Sequence, residues 1–275
     1  MGVGLATDVD AKALREVAVQ IAREAATLAR TVRDDAVTGG VDTKSTETDV
    51  VTAGDRAVER LVRERLAELR PGESVLGEEE GGETALEGLR WVVDPIDGTV
   101  NYLYGFPWYS VSLAAQLDGR SVAGAVVEPV SGRVWSAARG HGAHLDGRPL
   151  RASAADRLDL SLVATGFAYD VERRRAQATV VGRMLGQVRD IRRAGVASLD
   201  LCAVAAGWLD GMYEVGLNRW DWAAGALVAE EAGAHLRLPE RGSTDGLGDE
   251  MLVCAAPGIA EQLTGALREA DAGRV

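Results

Sequence analysis

The chain has 275 residues, 47% of them apolar and 26% charged, a composition that supports a sizeable core and argues against disorder. Its net charge of −12 repels phosphate backbones at long range, which argues against general nucleic-acid binding. A small anionic substrate would meet the same repulsion unless cations sit in the site.

The N-terminus carries no basic stretch followed by an apolar one, and no window reaches the ~18–20 apolar residues needed to cross a bilayer. A soluble, cytoplasmic chain is expected. Leu14, Val17, Ile21, Ala25 and Leu28 recur at helical spacing and predict a first amphipathic helix ending near Gly39-Gly40. The polar, Thr-rich segment from Val41 to Asp49 reads as a loop. Val58, Leu61, Val62, Leu66 and Leu69 predict a second helix, stopped by Pro71-Gly72. Arg90 to Val93 is a short apolar run that ends at Asp-Pro, hence a strand end.

The middle reads as an antiparallel meander. Val111, Leu113, Ala115 and Leu117 alternate, Asp118-Gly119 turns the chain into Ser121 to Val127, and a strand around Val134 leads to a second turn at Asp146-Gly147. From Leu160 onward, short strands at Ser161–Ala164, Gly211–Val215, Ala234–Leu238 and Met251–Ala255 alternate with helices. Cys202 and Cys254 lack CxxC spacing and read as buried free thiols. Two halves are expected, residues 1–150 with a helix pair and an antiparallel sheet and residues 151–275 with α/β character, acting as one catalytic unit.

Three acidic patches stand out by position. Asp94 ends an apolar strand and Asp97 follows after a proline that fixes the turn, so both carboxylates and the Ile96 carbonyl can converge on a hard cation. If a helix starts at Gly98-Thr99, its free N–H groups form an anion site beside that cation. On its own, Asp-x-x-Asp-Gly is a common turn. Gly77-Glu78-Glu79-Glu80 on its own is the kind of run that usually faces solvent. Asp221, between Trp220 and Trp222, would serve as a plain helix cap, yet an acid between two tryptophans needs a partner once buried.

Taken together, these segments resemble the inositol monophosphatase family. Gly77-Glu78-Glu79, Trp91 to Asn101 and Trp220-Asp221-x-Ala223-Ala224-Gly225 match its motifs in order and spacing. Lys44-Ser45 with Asp49, then Val51-Thr52-x-x-Asp55, match its first motif, and Ile191 to Gly195 with Ala197 and Leu199-Asp200-Leu201 are similar to bacterial members. The resemblance spans about residues 10 to 260 and implies a layered αβαβα sandwich, an α/β (α+β) fold. It implies Mg²⁺ as cofactor, roughly two or three ions per site, held by Glu78, Asp94, Asp97, Asp221 and the Ile96 carbonyl. It also implies that Gly98 and Thr99 hold the phosphate through backbone N–H groups and that Asp55 pairs with the Thr99 hydroxyl. Glu214 and the backbone at Gly195 and Ala197 would receive substrate hydroxyls, with Lys44 over the phosphate. A homodimer and inhibition by lithium complete the expectation. Gly54, where the family often has a larger residue, predicts a flexible approach to Asp55, and Arg219 is expected to adjust substrate preference.

Phosphate monoesters hydrolyse very slowly unaided, so charge neutralisation and positioning must carry the catalysis. Glu78 and the Thr99–Asp55 pair are the expected orienters of a metal-activated water, and no activated nucleophile signature points to a phosphoenzyme. His141, His144 and His235 read as structural. The preferred substrate is a phosphorylated polyol, myo-inositol 1-phosphate. Histidinol phosphate, fructose bisphosphate and nucleotide 3′-phosphates are the alternatives within the fold. A rival of another class is a binding partner of the transcription machinery, for which Arg173-Arg174-Arg175 and Arg192-Arg193 are the basic spots. The complete set of acids favours the enzyme.

Overall fold

The computed structural model describes residues 9–38, 41–43, 50–82 and 86–275. Lys44, Ser45 and Asp49 lie outside these residues. In chain order the elements are α1 (Ala11–Thr38), β1 (Val41–Thr43), β2 (Val50–Thr52), α2 (Ala53–Leu69), β3 (Ser74–Gly77), β4 (Leu89–Asp97), α3 (Thr99–Tyr104) and β5 (Ser110–Leu117). They continue with β6 (Arg120–Val127), β7 (Val134–Ala138), β8 (Ala143–Leu145), β9 (Arg148–Pro149), β10 (Leu162–Thr165), α4 (Val171–Met184) and β11 (Asp190–Arg192). The last are α5 (Ala197–Ala205), β12 (Gly211–Val215), α6 (Arg219–Glu231), β13 (His235–Arg237), β14 (Met251–Ala255) and α7 (Ala260–Glu269).

Two sheets order these elements into five layers. β3 to β9 form a seven-stranded sheet in sequence order. β3 joins β4 in parallel, and the later pairs are antiparallel. The second sheet runs β11-β10-β12-β14-β13, parallel across its first three strands and antiparallel beyond. Period-two alternation assigns each strand face to a layer. On β4 and β5, Trp91, Val93, Val111, Leu113 and Ala115 join Ala18, Ile21, Ala22 and Ala25 of α1 and Val58 and Val62 of α2. Val92 and Ala114 look the other way, toward α5 and α6. The outer face of the second sheet is covered by α4 and α7, through Val180, Met184, Leu263 and Leu267. The result is α1/α2, sheet, α5/α6, sheet, α4/α7, the expected αβαβα sandwich.

The structure amends the sequence reading in three places. Val41–Thr43, at the start of the segment expected to be a loop, pairs antiparallel with Val50–Thr52. The meander gains β3 as a parallel edge strand. β4 does not end before Asp94 but runs on to Asp97. Among the described residues no helix is long and apolar enough to cross a membrane.

Candidate active site

The site is built first by an irregularity in β4. Asp94 pairs with Ser112, and the next pair is Asp97 with Ser110, so three steps on β4 match two on β5. In a regular strand, residues three apart point to opposite faces. The extra residue rotates Asp97 back to the side of Asp94. Pro95, which has no N–H for the ladder, falls inside the bulge, where its loss costs least. Gly98 then takes φ 92°, a left-handed conformation that a side chain resists, and α3 starts at Thr99.

Asp94, Asp97, Gly98, Thr99 and Ile96 line one cavity of about 420 Å³. The turn after β3 adds Glu78, β12 adds Glu214, the start of α5 adds Gly195 and Ala197, and the first turn of α6 adds Asp221. Asp221 also closes a capping box, since its Oδ2 accepts the Asn218 N–H at 2.6 Å. The cap reading and the site reading are therefore both realised in one side chain. Asp97 Oδ2 accepts the Ser198 N–H at 2.7 Å, across the joint between the first sheet and α5. Ser198 is in turn paired with Ser110 through their hydroxyls at 2.7 Å.

Thr99 Oγ1 lies 3.2 Å from Asp55 Oδ1 and 3.1 Å from the Ile96 carbonyl. A hydroxyl has one proton, so donating to Asp55 leaves its lone pairs free to accept from a third group. Asp55 is fixed from the other side, where its Oδ2 accepts the Thr52 N–H at 2.7 Å and the Thr52 hydroxyl at 2.6 Å. This is the capping box that starts α2. Gly54 belongs to that first turn and is buried. A Cβ there would meet the Tyr102 hydroxyl at 2.7 Å, so tight packing, not flexibility, selects glycine.

Burial raises the Asp94 carboxyl well above the usual carboxylate range, and the charges of Glu78, Asp97 and Asp221 push the same way. Asp97 is raised to about 6 by burial, against the pull of the Ser198 hydroxyl and the Ser198 and Ala197 N–H groups. Burial and then Asp97 and Glu78 raise Asp221, with the Asn218 N–H opposing. Glu214 is raised to about 7 by burial and by Asp97, with Arg193 opposing. Acids held together in this way call for a positive charge among them.

Asp94 Oδ1 is buried with no hydrogen-bond partner, which makes it an acceptor suited to a cation. The surrounding donors are all oxygen, the set preferred by hard divalent ions. The residues fit such an ion. Among the described residues, no three His, Cys, Asp or Glu side chains already close into a cage, so ligand geometry is not read from them.

Several expectations move. Arg219 does not line the cavity. Its Nη1 donates to Gln116 Oε1 at 3.2 Å and to the Gly119 carbonyl at 3.0 Å, and its guanidinium covers the Trp222 ring at 5.2 Å. Glu79 and Glu80 do not line the cavity either, and Glu80 faces Arg63 at 3.4 Å. None of the three histidines lines it. Four of the five arginines in the basic spots are matched locally: Arg173 with Glu250, Arg175 with Glu172 and Arg192 with Asp190, while Arg174 bonds the Ala168 and Tyr169 carbonyls.

Three lining or supporting residues escaped the sequence reading. Phe167 lies under Arg193, with the guanidinium 5.6 Å from the ring centre, and both face the cavity. Asp170 caps α4 at the cavity rim. Glu59 supports the Glu78 turn. Its one sequence signal was an acid set between Val58 and Val62 on the buried stripe of α2.

A layered αβαβα sandwich with a cavity that gathers Glu78, Asp94, Asp97 and Asp221 beside a helix start is the arrangement of a metal-dependent phosphoester hydrolase. The profile of the inositol monophosphatase family matches residues 10–272, and the chain belongs to that family. The family is metal-dependent, which implies a divalent ion. A Mycobacterium leprae protein named inositol-1-monophosphatase is 53% identical over 95% of each chain. The solved structure of Mycobacterium tuberculosis SuhB shares 45% identity and a TM-score of 0.81, covering 96% of this chain and 98% of that one. An Escherichia coli protein named Nus factor SuhB is 39% identical over 67% of this chain and 70% of its own.

Proposed function

We propose that this protein hydrolyses myo-inositol 1-phosphate to inositol and phosphate, with Mg²⁺ as the divalent ion. The observation that carries the reading is the β4 bulge, which turns Asp94 and Asp97 into the cavity that Glu78 and Asp221 also line. Those four carboxylates and the Ile96 carbonyl would hold the metal. When bound, it supplies charge neutralisation for the phosphoryl group and lowers the pKa of a bound water.

The chain's own residues do the rest. Thr99, anchored through Asp55 and Thr52 to the start of α2, accepts a hydrogen bond from the attacking water and fixes its direction. The N–H groups at Gly98 and Thr99 face the phosphate. Ser198 holds Asp97 in place. Glu214 and the backbone at Gly195 and Ala197 receive the polyol hydroxyls, which distinguishes a ring alcohol from a plain aryl ester. The Phe167–Arg193 stack walls the leaving-group side and supplies positive charge there. Lys44 remains assigned to the phosphate by the family resemblance. The same resemblance supports a cytoplasmic homodimer inhibited by lithium, with residues 1–150 and 151–275 working as one unit.

The test is phosphate release from a panel of polyol, sugar and nucleotide phosphates, with Mg²⁺ and with EDTA. Inositol 1-phosphate should lead the panel and EDTA should abolish turnover. Full turnover in metal-free buffer defeats the proposal, and a better histidinol, fructose or nucleotide substrate defeats its substrate assignment. The rival role as a transcription-machinery partner draws support from the name of the Escherichia coli relative, while the locally matched arginines give it none.

A further inference from the structure

We infer that Glu59 is a positioning residue that presents Glu78 to the metal, an inference that rests on reading Glu78 as a metal carboxylate. Glu59 sits in α2, one turn beyond Asp55, and its side chain is 0% exposed. An acid so placed costs stability unless every oxygen is answered. Its Oε2 accepts the Glu79 N–H at 2.8 Å and its Oε1 the Glu80 N–H at 3.1 Å. These are the two peptide groups that follow Glu78. The carboxylate lies against Gly77, where a Cβ would stand 2.1 Å from Oε1, so the residue before Glu78 must be glycine for the contact to exist.

Arg63, a further turn along the same helix face, completes the grip. Its Nε and Nη2 donate to Glu59 Oε1 at 2.9 and 2.7 Å, and Nη2 also donates to the Gly81 carbonyl at 2.6 Å. The turn is closed on itself by Gly77 N–H to the Gly81 carbonyl at 3.0 Å. Both ends of the turn and its middle are therefore tied to α2. The Glu78 backbone cannot rotate without breaking a charge-assisted bond, and its side chain stays directed at Asp94. One helix thus orients the Thr99 hydroxyl through Asp55 and the Glu78 carboxylate through Glu59.

Groups that orient metal-ligating side chains typically contribute roughly 10–100-fold in metal affinity or activity. The full-length protein is titrated with Mg²⁺ by calorimetry, and in parallel the Mg²⁺ needed for half-maximal phosphate release and the Tm are measured. Glu59→Gln should weaken Mg²⁺ binding by roughly 10–100-fold, while saturating Mg²⁺ restores most of kcat. Arg63→Met, which leaves the amide contacts of Glu59 in place, should shift Mg²⁺ binding in the same direction by less, and it serves if Glu59→Gln does not fold. Asp245→Asn, in a loop remote from the cavity, should lower Tm without moving Mg²⁺ binding, which separates positioning from general stability.

Glu78→Gln is the reference for the reading beneath. If Glu78→Gln loses Mg²⁺ affinity while Glu59→Gln and Arg63→Met bind as wild type, the positioning role is overturned and the site stands. If Glu78→Gln itself binds Mg²⁺ normally, the metal reading of Glu78 falls, and the role of Glu59 falls with it.

Discussion

Asp97 concentrates the chemistry of this site in one carboxyl group. It is buried, raised to about 6, and tied to the Ser198 N–H. Asp97→Asn is nearly isosteric and keeps one acceptor for Ser198, so the fold should survive. It removes a charge from a cluster that must hold cations, so kcat should fall by several orders of magnitude, read as phosphate release across a Mg²⁺ titration. Normal turnover at low Mg²⁺ would remove the site assignment. Thr99→Ala should behave differently, with Mg²⁺ binding retained and kcat lowered roughly 10²–10⁴-fold through loss of water orientation. If Asp55 acts only through Thr99, to which it is hydrogen-bonded, Asp55→Asn combined with Thr99→Ala should be scarcely worse than either alone. Fully additive losses would show that the two act separately. Glu214→Gln should reduce kcat/KM for inositol 1-phosphate more than for an aryl phosphate, and equal losses would take Glu214 out of polyol recognition.

Among the elements, the start of α2 joins folding to function. Thr52 caps the helix and holds the far side of Asp55 with both its N–H and its hydroxyl. Thr52→Ala should cost about 1 kcal/mol as a lost cap, seen as a lower Tm, and should lower kcat as well because Asp55 loses a donor. Thr52→Ser should restore both, and a Tm loss without a kcat loss would confine Thr52 to the cap.

The sequence disclosed the elements unevenly, for physical reasons. The long helices and the strands β5, β6, β12 and β14 announced themselves because one face of each is steadily apolar. The four residues of β3 carry too few alternations to reveal a parallel edge strand. β4 was cut short because Pro95 argues against a strand, and only pairing partners can reveal a bulge. The acids Glu78, Asp94, Asp97 and Asp221, which line the cavity, were legible through motif order, and Glu214 only through the family resemblance. Glu59 was not, because a glutamate on a helix reads as solvated unless its neighbours in space are known. Arg219 misled because adjacency to Trp220 in sequence says nothing about the side of the helix on which a long side chain lies.

For the molecule as a whole, one route by which pH acts on stability is a pair that does not line the cavity. Arg237 holds the loop from Arg241 to Asp249 through Asp245 at 2.5 Å, the Ser243 hydroxyl and the Gly248 carbonyl, and ties it to β14 through the Met251 carbonyl. The Asp245 carboxyl is held well below the usual carboxylate range, first by its hydrogen bond to Arg237. A folded value below the unfolded one means stability that is present above the unfolded value near 3.9 and lost as pH falls through the folded one. Asp245→Asn should therefore lower Tm at pH 7, and the gap to wild type should close in acid. A gap that is constant down to acid would assign the effect to packing, not charge. Phosphate release at pH 7 should not change.

The bond from the Ser198 N–H to Asp97 has a consequence for how the molecule comes apart. It spans 101 positions of sequence, and α5 and α6 bury their apolar residues jointly against strands of both sheets. The middle layer comes wholly from the second half, yet it covers a sheet of each half. A chain cut near residue 150 would leave the first piece with a bare sheet face and the second with two helices lacking their floor. Each fragment alone should therefore be an aggregation hazard, and the intact protein should melt in a single calorimetric transition. Co-expressed, the two pieces should find one another and regain turnover together.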